Sequence, residues 1–537
     1  MLRSRFKRIF AGVSVTLTTG IAGTSLYFLH KNNYDIKHFG AVRFARAGLT
    51  ASEIIVDYKW NLLGLTSGSE EYATAMKGAH QRGADRILDL CKANGGVFIK
   101  VGQHVAALQY LLPDEYTSTL SVLHSKAPES DLDEVKAVVR DSLGKDLDEI
   151  FSSFDPQPVG VASLAQVHPA VLRSTGEKVA VKIQHPRVKA RSIVDIATME
   201  FFVRIAAAVF PDFKLMWLVD EVKRNLPIEL DFIHEASNAD RVRRMFDHLP
   251  YLKVPAIHSE YCSDRVLTME FLEGAQVNDL EYYHKNKIDP VDVCRKLGRL
   301  YSEMIFINGY VHCDPHPGNV LVRKDPKTSN TEIVLLDHGL YSTLPDDFRI
   351  DYCNLWNALL KPDKAEIKRR MKNSKPSILF QRICTKMNVG ELYDLFACIV
   401  TSRSWQSVTE GVHRVKQTKQ EVTHIQEFAA SLIPQISQVL DRMPRHMLLI
   451  LKTNDLLRAI ERSLGASTRK ESFLEMARCC AWARYRFKEH LNKSYTAHWL
   501  HTFRLYWTLL KIKLATWYYT IQAILIPEVP SKERILS

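Results

Sequence analysis

Cysteine is scarce: the 537 residues hold nine, at positions 91, 262, 294, 313, 353, 384, 398, 479 and 480. No Cys-x-x-Cys pair occurs, which excludes a disulfide scaffold and a zinc ribbon and agrees with a reducing compartment. Internal repeats and low-complexity tracts are absent. With 46% apolar and 25% charged residues, collagen-like and disordered classes are excluded as well. Acidic residues are missing from residues 1–34, where Arg3, Arg5, Lys7, Arg8 and Lys31 stand alone. Between 478 and 513 a single acid, Glu489, faces eight basic residues. These two ends account for the whole net charge of +12, and Asp35 to Ala477 sums to zero.

Charge is also absent from Ile9 to Leu29, a run of 21 residues behind four cations. As a helix it would measure about 31 Å, roughly one bilayer core. A basic, acid-free start before a weakly apolar segment fits a mitochondrial address or anchor better than a secretory signal, with a plain buried helix as the other reading. At the far end the cations interleave with Trp482, Trp499, Trp507 and Trp517, half of the tryptophans in the chain. That mixture describes an amphipathic helix packed on its own domain, a helix lying on a membrane surface, or a nucleic-acid contact.

In the middle, residues 159–183 read as two strands joined by a turn at Ser174-Thr175-Gly176-Glu177. Alternation puts Val179, Val181 and Ile183 on one face and Ala180 with Lys182 on the other. A lone strand lysine is ordinarily just solvated. Here a loop precedes it and acids follow, the arrangement by which kinase-type folds hold the α and β phosphates of a nucleotide.

The second piece is His312-Cys313-Asp314-Pro315-His316-Pro317-Gly318-Asn319, followed by two short strands and Asp337-His338-Gly339. Phosphoryl transfer needs leaving-phosphate charge neutralised and the acceptor oriented. Asp314 would orient or deprotonate the acceptor. Asn319 and Asp337 would hold Mg²⁺, which prefers such hard oxygen ligands. A zinc reading of His312, Cys313, His316 and His338 lacks a second cysteine pair to complete it.

With these pieces in order, the chain resembles the UbiB or AarF-domain family of atypical kinases, closely over Val97 to Leu344. Lys100-Val101-Gly102-Gln103 is similar to that family's KxGQ motif, and on a helix Lys100 and Gln103 share a face. The resemblance implies that Glu229 and Asp231 form the matching ExD pair and that Glu235 is the acid partnering Lys182. It also implies that Lys100 and Gln103 fold over the nucleotide where a protein substrate would sit, favouring ATP hydrolysis or unusual acceptors.

Departures from protein kinases have physical content. No Gly-x-Gly-x-x-Gly precedes Lys182; the loop Gly160-Val161-Ala162-Ser163 has one glycine, so its backbone is less free to wrap phosphates. Gly160 and Val161 also stand where the family's loop carries alanines. Cys313 replaces the arginine that reads a phosphorylated activation loop, and no Ala-Pro-Glu follows Asp337.

The expected architecture is α+β: a two-lobed, protein-kinase-like fold with an N-terminal helical extension and a helical insert, about Val188 to Val222, in the small lobe. The expected divisions are 1–34 (targeting or anchor), 35–150 (helical, with the KxGQ motif), 151–272 (small lobe), 273–477 (large lobe) and 478–537 (basic, Trp-rich). Leu267 to Phe271 reads as the strand entering the hinge, where the backbone of Glu270 to Leu272 would meet adenine. The functional expectation is an ATP- and Mg²⁺-dependent atypical kinase or ATPase of mitochondria, associated with the inner membrane. Lipid or quinone homeostasis and cristae organisation follow from the resemblance alone. A small-molecule or Ser/Thr protein kinase, and a nucleotide-binding scaffold for membrane complexes, stand as alternatives. Expected partners are mitochondrial membrane lipids and inner-membrane protein complexes, with no nucleic acid.

Overall fold

A computed structural model describes residues 40–66, 68–106, 112–124, 129–210, 216–360, 393–401, 404, 439, 443–465, 469–491 and 495–525. The expected targeting or anchor segment at 1–34 lies outside them. By packing, the chain forms two units. One runs to Phe232 and includes Glu260–Thr268; the other holds Ile233–Ser259 and the chain from Met269. The chain therefore crosses between units at Phe232, Ser259 and Thr268.

The first unit opens with helices α1 (Gly40–Asn61), α2 (Glu70–Asn94), α3 (Val97–Ala106), α4 (Asp114–Leu120), α5 (Leu132–Leu143) and α6 (Leu147–Ile150). Ser69 starts α2 by accepting from the Tyr72 amide at 3.1 Å, and Gly95, at φ 65°, ends it in a conformation that favours glycine. Strands β1 (Phe151–Phe154), β2 (Gly160–Val161), β3 (Ala165–Leu172) and β4 (Lys178–Gln184) follow. The β3–β4 hairpin turns at Gly176, φ 72°, within the expected Ser174–Glu177 turn. Val179, Val181 and Ile183 are buried, as their alternation predicts, and pack with Val135, Val138 and Val139 of α5. The helical insert is two helices, α7 (Val188–Val209) and α8 (Met216–Glu229). After α9 (Phe232–Met245) and β5 (Leu252–Lys253), the chain returns with β6 (Val266–Glu270) to complete the sheet order β1-β3-β4-β6, β2 pairing β3.

The second unit takes α9 from Ile233, then β5, β7 (Ala275–Gln276), α10 (Leu280–Asn286) and α11 (Pro290–Ser302). Asp289 caps α11 by accepting from the Val291 amide at 2.9 Å, with Pro290 at the first helical position. A single π-helical turn, Glu303–Asn308, leads into β8 (Tyr310–His312). Strands β9 (Val320–Lys324), β10 (Thr331–Leu335) and β11 (Tyr341–Thr343) follow. One sheet has the order β5-β10-β9-β7, and β11 pairs with β8. Helices α12 (Asp346–Leu360), α13 (Tyr393–Thr401), α14 (Arg445–Leu464), α15 (Arg469–Leu491) and α16 (Tyr495–Leu525) close the unit. Among the described residues, no helix is long and apolar enough to cross a membrane.

Candidate active site

In the first unit, β4 carries Lys182 opposite Val167 of β3, and its ammonium lies 5.1 Å from the centre of the Phe232 ring. Three bonds fix this meeting. Gln184 Nε2, two residues on, donates to the carbonyls of Leu230 (2.9 Å) and Asp264 (3.0 Å), while the Phe232 amide donates to Asp264 O at 3.1 Å. The Glu229-Leu230-Asp231-Phe232 stretch is thereby tied to the end of the lysine strand.

The KxGQ residues lie on α3, and each does something different. Lys100 Nζ pairs with Glu229 at 2.6 Å, with both side chains largely buried. Gly102 is required by space: a Cβ there would stand 2.4 Å from Leu123 Cδ1 and 3.1 Å from Cys91 Sγ. Gln103 Nε2 donates to Leu123 O at 2.9 Å, and its Oε1 accepts from Ser163 Oγ at 3.4 Å. The motif thus reaches the Gly160–Ser163 loop directly. That loop is closed by the Ala162 amide donating to Ala165 O at 2.8 Å and by a bond between His185 Nε2 and Ala162 O at 2.9 Å. Gly160 has open space where a Cβ would project, so an alanine there would meet no neighbour.

Removing the Lys100 ammonium leaves Glu229 buried without its cation, a change that costs about 3–5 kcal/mol when such pairs are broken from one side. Lys100→Met is therefore expected to lower the unfolding free energy by about 3 kcal/mol, with Lys100→Met/Glu229→Gln recovering much of it. Chemical denaturation checks this, and an unchanged midpoint for the single variant would show the pair to be idle.

In the second unit, the loop after β8 folds on itself. The Asp314 carbonyl accepts from the His316 amide (2.8 Å) and from Asn319 Nδ2 (3.1 Å), and the Asn319 amide donates to His316 O at 2.8 Å. With its nitrogen tied this way, the Asn319 side chain presents its oxygen away from that carbonyl. The β9–β10 register sets Val320 opposite Leu335, and the Leu336 amide donates to Asn319 O at 3.0 Å. Asn319 and Asp337 consequently sit at the same end of one two-stranded ribbon. Asp337 Oδ1 accepts from the Gly339 amide at 2.9 Å, which leaves a carboxylate and an amide oxygen on adjacent strand ends. Two hard oxygen donors of this kind suit Mg²⁺, which takes one or two protein ligands and completes its shell with waters and phosphate oxygens.

Asp314 has a partner the sequence reading missed. Lys452 on α14 donates to Asp314 Oδ1 at 3.1 Å across 138 residues of chain. The only signal was one cation, Lys452, closing the apolar run Met447–Leu451. Asn238 was also missed: buried, it donates to His338 O at 2.9 Å and accepts from Tyr310 Oη at 2.7 Å.

Glu235, the expected partner of Lys182, accepts from the His338 amide at 3.4 Å in this unit, and Gly339 lies beside both Glu235 and Asp337. Glu270, at the expected hinge, is engaged locally. Its carboxylate holds Lys253 (2.9 Å) and the Ala256 amide (3.1 Å), and its own amide donates to Ala256 O at 2.8 Å.

The zinc reading has no place here. His312 meets Asp337 O through Nε2 (2.6 Å) and Tyr301 Oη through Nδ1 (3.0 Å). A carbonyl only accepts, so Nε2 carries the proton and Nδ1 takes the phenol hydrogen. Burial pushes the His312 pKa below the usual histidine range, keeping the ring neutral. His338 repeats the pattern with Leu335 O (3.0 Å) and Tyr341 Oη (2.9 Å). Among the described residues, no cluster of three or more His, Cys, Asp or Glu could hold a metal ion.

Comparison with known proteins comes to the same place. A family model described as the ABC1 atypical kinase-like domain matches residues 122–371. The chain is 52% identical over 464 residues to the AarF domain-containing protein kinase 1 of Mus musculus, covering 86% of each chain. It is 45% identical over 502 residues to the AarF domain-containing kinase 1 of Drosophila melanogaster, covering 92% of this chain and 94% of that one. It is also similar, at 36% identity over 493 residues, to the ABC1 family protein MCP2 homolog of Schizosaccharomyces pombe, covering 88% and 84%.

Proposed function

This chain belongs to the ABC1 atypical kinase-like family, and on that premise we propose that it takes Mg²⁺-bound ATP and moves its γ-phosphoryl group to water or to a small acceptor. The observation that carries the reading is the ribbon end holding Asn319 and Asp337, joined through the Asn319 amide to the loop of Asp314. A scaffold has no use for that constellation.

The roles follow from chemistry. The acceptor oxygen bonds to the γ-phosphorus as the bond to the bridging oxygen breaks, and ADP keeps that electron pair. Asp314 orients the acceptor O–H and takes its proton. Lys452, donating to one carboxylate oxygen, holds the carboxylate in one orientation. Asn319 and Asp337 would hold Mg²⁺, which when bound would supply neutralisation of the phosphate charge. By resemblance, Lys182 serves the α and β phosphates, and Gly160 to Ser163 form the loop over them.

The basic, acid-free start supports a mitochondrial address, and we place the chain at the inner membrane. Service to lipid or quinone homeostasis and cristae organisation completes the proposal and rests on the resemblance. Thermal unfolding tests the core of it. At an Mg-ATP concentration 100 times the dissociation constant, the folded state should gain about 2.7 kcal/mol, seen as a raised melting temperature. No shift at millimolar Mg-ATP would remove the kinase and ATPase readings together.

A further inference from the structure

Helix α16 shows solvent an aromatic stripe that the site chemistry does not use. Trp499, Phe503, Tyr506, Trp507, Leu510, Leu514 and Trp517 are all exposed, Trp499 at 72% and Trp517 at 65%. At 100° per residue they fall within a sector about 100° wide, and from Trp499 to Trp517 the stripe runs about 27 Å. The opposite side of the helix is the packed one. Leu505 is buried, and Thr502 Oγ1 meets Tyr485 Oη of α15 at 3.2 Å. The stripe is therefore not the core-facing side of a helix seated on its own domain.

Charge identifies the occupant. The 31 residues of α16 contain no Asp or Glu, and its three cations are exposed at the borders of the stripe. Arg504 and Lys511 fall along one border and Lys513 along the other, and the Lys511 ammonium lies 5.2 Å from the Trp507 ring centre. A second copy laid on this face would bring cations against cations with no acid on the helix to meet them. A base stack would engage the rings but not the leucines between them.

We propose that this face of α16 docks flat on an anionic phospholipid surface, its rings and leucines entering the headgroup boundary and its cations meeting lipid phosphates. The helix lies on the bilayer rather than crossing it, since it is too polar to span. This inference goes beyond the phosphotransfer reading and does not depend on it.

Cosedimentation of the full chain with phosphatidylcholine vesicles, with and without phosphatidylserine, tests it against two variants. Trp499→Ala/Phe503→Ala/Trp507→Ala is expected to weaken partitioning onto phosphatidylserine vesicles by about 100-fold, from lost ring burial. Arg504→Glu/Lys511→Glu should weaken the same binding by about tenfold or more at low salt, with the difference shrinking at high salt. All these side chains are exposed, so both variants should keep the parent's melting temperature. The proposal is overturned if both variants bind phosphatidylserine vesicles as the parent does. It is overturned equally if the aromatic variant turns a dimer into a monomer while vesicle binding stays the same.

Discussion

Asp314→Asn protein is expected to bind Mg-ATP with the affinity of the parent chain and to release phosphate about 10²–10⁴ times more slowly, the span ascribed to a positioned general base. The substitution keeps the shape of the side chain and leaves an oxygen for Lys452 to reach, so the bond recorded at 3.1 Å can persist and the loop keeps its form. What disappears is the ability to accept a proton. The backbone bonds from His316 and Asn319 go to the residue's carbonyl, which the change does not touch. Isothermal titration alongside a phosphate-release assay separates the two quantities. Retained turnover in Asp314→Asn would strip this carboxylate of its assigned role.

Lys182→Ala should behave in the opposite sense. A charge-assisted hydrogen bond to a phosphate contributes about 1.5–3 kcal/mol, so the dissociation constant for Mg-ATP should rise roughly 10–150-fold. The lysine sits on the face of β4 away from the core formed by Val179, Val181 and Ile183, so the truncation opens no cavity among them. Its ring contact with Phe232 is lost as well, at a cost of about 0.5–1 kcal/mol to folding at a partly exposed site. Measured together, the two variants form a cross: one loses turnover with binding kept, the other loses binding. Equal loss of nucleotide affinity in both would contradict the division of labour between Lys182 and Asp314.

Local regularities made part of this structure legible before any coordinates. The alternation in Val179 to Ile183 placed the core face of β4, and the Gly176 turn placed its hairpin. Asp314, Asn319 and Asp337 were legible because a single ribbon, from loop to strand to turn to strand, carries them within 24 residues of sequence. Contacts made across long stretches of chain left no such trace. Lys100 and Glu229 lie 129 residues apart, and only the family resemblance joined them. Lys452 reaches Asp314 from a helix whose spacing reports its own packing and nothing about its target. The π-helical turn at Glu303–Asn308 was hidden because one extra residue in a helical repeat does not disturb the apolar pattern enough to be read. The insert was foreseen as helical from about Val188 to Val222 but its division into two helices was not, although Pro211 stands in the sequence between α7 and α8.

The remoteness of Lys452 has a consequence for how the protein matures on the ribosome. A nascent chain that has just finished residue 371 has already completed the segment matched by the family model, with every acid and amide of the ribbon in it. It still lacks the ammonium that steadies Asp314, which emerges some 80 residues later. A stop codon or proteolytic cut in that interval would release a polypeptide with an intact family signature and an unsteadied base.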